Sequence, residues 1–273
     1  MDVRICTAPS SATATGECRG QVLISGSYGG EYNAWHAAKW GLRGVVLNDA
    51  GVGKNEAGIQ GLAFLDGIGL PAAAADAWTC HIGDAEHMLA HGTVSRVNRA
   101  ASRLGCIPGQ SVRHCAQRMC SGPVIDAALP PLKGGKRHVI SNNEGKPEVT
   151  CLDAAPMLEP ADAGSIVVTG SHAALFRGKP DNVINVDVRA IFFSDAGVGL
   201  DNAGIARLPT LDERGIVAAT AAVDSAAIGD SLSIYHDGVI SFLNSTAAAL
   251  GGRPGMSIQG FIRILLTRWR KAG

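Results

Sequence analysis

A block of sequence occurs twice in this chain, and that recurrence limits the possible folds more than any other feature. Residues Asp49–Gly109 align without a gap on Asp195–Gly255 at a constant offset of 146, with 26 of 61 positions identical. The identities gather in DAGVG and AGI (Asp49–Ile59, Asp195–Ile205), in IGD (Ile82–Asp84, Ile228–Asp230) and in the G..S..N spacing of Gly92–Asn98 and Gly238–Asn244. A looser match pairs LISGS (Leu23–Ser27) with VVTGS (Val167–Ser171). Such a period exceeds the roughly 20–45 residues of solenoid repeats. The expectation is two copies of one unit, residues 1–125 and 126–273, forming similar lobes about a pseudo-twofold axis. Any site on that axis would draw the same residue types from both copies.

Apolar runs and breakers place the elements. In the first copy Gln21–Ser27 and Gly44–Asp49 read as buried strands, Gly29–Trp40 as a helix and Pro71–Ala75 as a small-residue strand. Ile59, Leu62 and Leu65 are at helical spacing, with Gly69 as the C-cap. A single long helix is expected from Asp84 through Val94, Val97, Ala101 and Leu104 to Gly105, then a short one over Ser111–Met119. The second copy repeats the order: strands Ser165–Ser171, Arg189–Asp195 and Ile216–Ala221, and helices Ala203–Arg214, Asp230–Leu250 and Ile258–Arg270. Between the copies, β-rich runs flanking Asn143-Glu144-Gly145 predict a hairpin over about 136–153. VRICTAP near the start weakly matches EVTCLDAAP (Glu148–Pro156), which would add a strand to each copy. Continuous apolar strands alternating with helices predict an α/β fold, a parallel sheet of βαβ units covered by helices on both faces.

Composition narrows the partners. Lys plus Arg number 24, as do Asp plus Glu, and a nucleic-acid binder would show a basic excess on some face. The one basic cluster, within Arg263–Lys271, reads as the polar face and last turn of a helix. No apolar run reaches the ~20 residues that span a bilayer, and no signal peptide is expected. Seven cysteines, odd in number and irregularly spaced, argue against a disulfide framework and for a reducing, cytoplasmic compartment.

In a parallel α/β sheet, ligands bind at the carboxyl ends of the strands. Three repeated polar motifs are predicted there: Gly26-Ser27 with Gly170-Ser171, Asp49 with Asp195, each before Ala-Gly-Val-Gly, and Asp84 with Asp230. Gly51 and Gly53, like Gly197 and Gly199, allow a ligand to approach the backbone. Asp49 and Asp195 are candidate acid, base or orienting groups, or carboxylates that bond to their own turns. Asp84 and Asp230 read first as helix N-caps. Ser95 and Asn98, with Ser241 and Asn244, read as a buried structural network. His87 and His91 are four apart on a predicted helix, but the HExxH glutamate is missing and the second copy carries Ser233 and Asp237 there. They read as exposed histidines, and no metal is expected.

The first serine loop, LISGSYGGEYNAWHAAKWGLRGVVLND, resembles the strand–nucleophile–helix–strand elbow of α/β-hydrolases over about 30 residues. It departs from G-x-S-x-G at Ser25 and arrives too early in the chain, so the family is not assigned. Ser27 is a candidate nucleophile, an anion holder beside Tyr28 and Gly29, or a plain cap. The copies differ here, since Ser171 is followed by His172, a candidate base for Ser27 across the axis. The functional expectation is a cofactor-independent hydrolase of a C–N or ester bond in a small carboxylate or carbonyl metabolite, bound between the repeats. Lyase or isomerase chemistry comes next, and a non-catalytic metabolite-binding or regulatory module is the alternative. No cofactor, nucleic acid or membrane is expected as a partner, and the chain is a possible homo-oligomer.

Overall fold

A computed structural model describes residues 4–141, 147–179 and 184–271. The first half opens with β1 (Ile5–Ala8), β2 (Val22–Tyr28), α1 (Glu31–Ala38) and β3 (Gly44–Asn48), followed by α2 (Gly61–Gly67) and β4 (Ala72–Ala75). It continues with α3 (Ala85–His91), β5 (Val94–Val97), α4 (Arg99–Arg103) and α5 (Val112–Met119). The second half holds β6 (Arg137–Ser141), β7 (Pro147–Leu152), β8 (Ile166–His172), β9 (Ala190–Ser194), α6 (Arg207–Glu213) and β10 (Val217–Ala221). It ends with α7 (Ser231–Asp237), β11 (Ile240–Leu243), α8 (Ser245–Ala249) and α9 (Ile258–Lys271).

The strands form two sheets, β1-β2-β3-β4-β5 and β11-β10-β9-β8-β7-β6. Four neighbouring strands in each run parallel, whereas β5, β11 and β6 are antiparallel edges. The sheets are therefore mixed, mostly parallel, rather than purely parallel. The strand expected near the amino end is β1, parallel to β2 as β7 is to β8. The hairpin is the β6–β7 pair, and the turn expected at its tip lies outside the described residues.

Helices do cover both faces. On one side of the first sheet Leu23, Val45 and Leu47 pack against α1 and α2 through Ala34, Ala37, Leu62 and Leu65. On the other, Val22, Ile24 and Val46 meet Met88 of α3 and Val112, Ala116 and Met119 of α5. The second sheet repeats this with Leu208 and Leu211 of α6 on one face and Ile234, Phe261 and Leu265 of α7 and α9 on the other. Burial of each such side chain contributes about 1.5–3 kcal/mol, which is why strands of continuous apolar residues outcompete other conformations here. β4 is four alanines, all buried. Their lack of bulk suits a central strand pressed between helices despite alanine's helical propensity.

The long helices expected over Asp84–Gly105 and Asp230–Leu250 are each a helix, a strand and a helix. α3 stops at Gly92, which is extended, and a Cβ there would sit 2.6 Å from the Met88 carbonyl oxygen. The β-branched residues that follow pair with β4 as an edge strand, and tertiary pairing overrides the helical spacing. The cysteine reading also changes, because Cys6 of β1 is disulfide-bonded to Cys18, with 5.6 Å between their Cα atoms. The inference of a reducing compartment loses that ground. Among the described residues no helix is long and apolar enough to cross a membrane.

Candidate functional site

The DAGVG turns meet where the two halves join. Ala50, Gly51, Val52 and Gly53 all have positive φ (48°, 71°, 65° and 67°), as do Ala196, Gly197, Val198 and Gly199 (49°, 71°, 64° and 71°). A Cβ on Gly51 would lie 2.9 Å from the Gly197 Cα, and one on Gly197 would lie 2.8 Å from the Gly51 Cα. Glycine at both positions lets the two backbones touch. Beside this contact the Lys54 N–H donates to the Val223 carbonyl at 2.9 Å and the Leu200 N–H to the Ala77 carbonyl at 2.8 Å. Gly53 and Gly199 press against Val223 and Ala77 in the same way. These glycines bring the halves together, leaving no room for a ligand between the two DAGVG turns themselves.

The aspartates of these turns are occupied. Asp49 Oδ1 accepts the Gly51 and Ala77 N–H groups at 3.0 Å each, and Oδ2 accepts the Ser95 hydroxyl at 2.7 Å. Asp195 Oδ1 accepts the Gly197 and Val223 N–H groups, again at 3.0 Å each. Burial raises the Asp195 pKa, opposed by hydrogen bonds from Ser241 and these amides. Both carboxyls thus bond to their own turns and adjoining strands. Asp84 and Asp230 cap α3 and α7, accepting the His87 and Ser233 N–H groups. Asn98 and Asn244, expected in a structural network, cap α4 and α8.

The serine loops behave differently. A cavity of about 70 Å³ between the halves is lined by Ser10, Ser27, Tyr28, Tyr32, Asn33, Asp153, Ser171, His172 and Phe176, with Ala12, Ala154 and Pro156. The structure therefore brings Ser27, Ser171 and His172 to one crevice, from strands β2 and β8. Gly26 and Gly170 lie one residue earlier, where a Cβ would collide with the Gly83 and Gly229 backbones. They seat the strand ends on the IGD loops. Gly29 packs against the Gly58 carbonyl in the same manner.

Ser27 Oγ accepts the Ser11 N–H at 3.0 Å and donates to Ser10 Oγ at 3.2 Å, while Ser171 Oγ accepts the Ala155 N–H at 2.9 Å. Among the described residues neither hydroxyl is hydrogen-bonded to a histidine or a carboxylate. His172 Nδ1 accepts the Ala174 N–H at 3.2 Å, so the neutral ring carries its proton on Nε2. Burial, and then the charge of Arg207, push its pKa down to about 3. At neutral pH this imidazole is a donor and a poor base. The Tyr28 phenol is held above its ordinary range by burial and by Asp153.

Asp153, Asn33, Phe176 and Ser10 carried no motif signal in the sequence, whereas Tyr32 stood out as part of the difference between the serine loops. For Asp153 the usable signal lay in the weak match of VRICTAP to EVTCLDAAP, and the strand register of the structure then sets Asp153 in the place of Pro9. Next to the cavity, and sharing Tyr28 and Tyr32 with it, is an open cleft of about 300 Å³ that reaches Glu31, Lys133 and Asp230. On a different part of the junction His81 Nε2 lies 2.9 Å from Asp201 Oδ2, and the His81 ring stacks on His87 at 3.8 Å. Among the described residues no group of three or more His, Cys, Asp or Glu side chains is arranged to hold a metal ion. Compared with protein-family models, curated proteins and solved structures, the chain matches none.

Proposed function

We propose that the chain is a duplicated α/β unit with a pseudo-twofold axis, and that it binds a small polar metabolite in the cavity on that axis. One observation carries this reading. The cavity wall is built from positions 144 apart: Ser10 and Ala154, Ala12 and Pro156, Ser27 and Ser171, Tyr28 and His172, Tyr32 and Phe176. A recessed space with hydroxyls, an amide, an imidazole and a carboxylate among apolar rings has the make-up of a small-molecule site. The binding-module form of the reading has more support than the hydrolytic one, because Ser27 holds Ser10 and Ser11 rather than a base. The DAGVG aspartates serve the junction of the halves in this reading.

A catalytic role has one observation in its favour. His172 lines the cavity as a neutral ring with its proton on Nε2, and a neutral imidazole N–H is a group suited to polarising a carbonyl without transferring its proton at the outset. The chemistry that fits is cofactor-independent and acts on a carbonyl-bearing metabolite.

The test fills the cavity. Ala154→Leu should leave the fold intact by circular dichroism and abolish the thermal stabilisation given by small polar ligands in a screen. If ligands found in the screen stabilise Ala154→Leu as well as the parent chain, the axial site is wrong. For the catalytic form, His172→Gln should lower turnover of any substrate found by at least tenfold.

A further inference from the structure

We propose that this cavity selects a small ammonium-bearing ligand, held by the Asp153 carboxylate and the rings of Tyr28, Tyr32 and Phe176. The inference rests on the axial cavity being the binding site and adds the sign of the ligand's charge. It departs from the carboxylate ligand expected from the sequence.

The chemistry of the wall carries it. Among the described residues lining the cavity, Asp153 alone belongs to a residue type that is ionised at neutral pH as a rule, and none is Lys or Arg. The remaining polar groups are hydroxyls, the Asn33 amide and the His172 ring, which stays uncharged at neutral pH because of its burial. The nearby guanidinium of Arg207 lies outside the lining and donates to the Ala174 carbonyl at 2.8 Å. A carboxylate ligand placed here would face Asp153 with no cation in the wall to offset the repulsion. An ammonium would gain a charge-assisted hydrogen bond and the negative faces of the surrounding rings.

Asp153 has capacity to spare. Its Oδ1 accepts the Ser231 N–H at 3.2 Å and the Ser231 hydroxyl at 2.8 Å, whereas Oδ2 accepts, among the described residues, only the Lys136 N–H at 2.9 Å. A carboxylate oxygen takes two hydrogen bonds, so Oδ2 has room for one more donor. The same three bonds fix the carboxylate in place, which lowers the ordering cost of binding. The rings are also braced: Phe176 meets His172 edge-on at 5.9 Å, and Tyr32 lies 4.6 Å from the His36 ring. The adjoining cleft continues the trend, with Glu31 and Asp230 against Lys133, whose ammonium sits 3.6 Å from Glu31. A cation approaching through it meets a net negative path.

Three probes of similar size decide the matter: methylammonium, acetamide and acetate, titrated into the full chain and followed by NMR at Tyr28, Tyr32 and His172. Methylammonium should shift these resonances saturably and bind at least tenfold more tightly than acetamide, with acetate weakest. Asp153→Asn should weaken methylammonium binding by at least tenfold and leave acetamide within about threefold. Because Asp153 also anchors Lys136 and Ser231, a second variant, Phe176→Leu, keeps the apolar bulk and removes one ring face; it should weaken methylammonium about threefold or more. Acetate or acetamide binding as tightly as methylammonium would overturn the ammonium assignment while preserving the axial site. If none of the three perturbs the cavity resonances, both the assignment and the site fall.

Discussion

Asp49 illustrates how a carboxylate beside glycines can be structural. Its two oxygens accept three hydrogen bonds, from Gly51, Ala77 and Ser95. Asp49→Ala would strand two buried amides and should cost about 3 kcal/mol or more in urea unfolding. Asp49→Asn keeps Oδ1 for the amides and turns its NH₂ toward the Ser95 hydroxyl, which can accept. It should therefore lose no more than about 1–2 kcal/mol and bind ligand as the parent does; a large loss of binding in a folded Asn variant would restore the acid/base reading. His172 gives a pH signature. Its folded pKa is about 3 against an ordinary 6.5, set by burial and by Arg207. Above 6.5 both folded and unfolded chains are neutral at this ring and nothing is lost. As pH falls from there toward 3 only the unfolded chain takes up the proton, so stability drops, by on the order of several kcal/mol at the acid end. His172→Gln should flatten the pH dependence of the urea midpoint between 6.5 and about 4.

At the scale of elements, strands with continuous apolar faces were legible: β2, β3, β8, β9 and β10 lie within a residue or two of where composition placed them. The segments after α3 and α7 were not, because Val94, Val97, Ala101 and Leu104 satisfy a helical period, while Val94-Ser95-Arg96-Val97 lacks the strict alternation of a strand and pairs with β4 through a register shift. Gly92 and Gly238 decide between them, since both are extended and both end a helix. Asn98 then joins the new strand to its neighbour, its Oδ1 accepting the Ala72 and Ala101 N–H groups and its Nδ2 donating to the Leu70 carbonyl. Asn98→Ala should destabilise by about 2–3 kcal/mol, and Asn244→Ala similarly, since both lose a cap and a strand tie. The candidate site divided along the same line. Serines at strand ends could be placed on one edge from pattern alone, whereas Asp153, at the end of the predicted hairpin, joins those serines only through the packing of the two sheets, which no local pattern encodes.

Across the whole molecule, the halves share one small apolar cluster: Tyr28, Ala50, Ala57 and Ile82 from the first, Ala174, Ala196 and Ile228 from the second. Lys54 adds a pair with Asp237 at 3.0 Å, and His81 one with Asp201. Gly51→Ala and Gly197→Ala each drive a Cβ into the opposing backbone at a positive φ, and should cost about 2–4 kcal/mol apiece by thermal or urea unfolding. Because each change spoils the same contact, the double variant should lose clearly less than the sum.

That backbone-to-backbone seam has a consequence for traffic through the cavity. Two-lobed receptors often swallow their cargo by swinging about a hinge, but here the pivot is welded where Gly51 rests on Gly197. Under the proposed binding role, a ligand reaches the cavity from the open cleft that shares Tyr28 and Tyr32 with it, and the halves need not part to admit it.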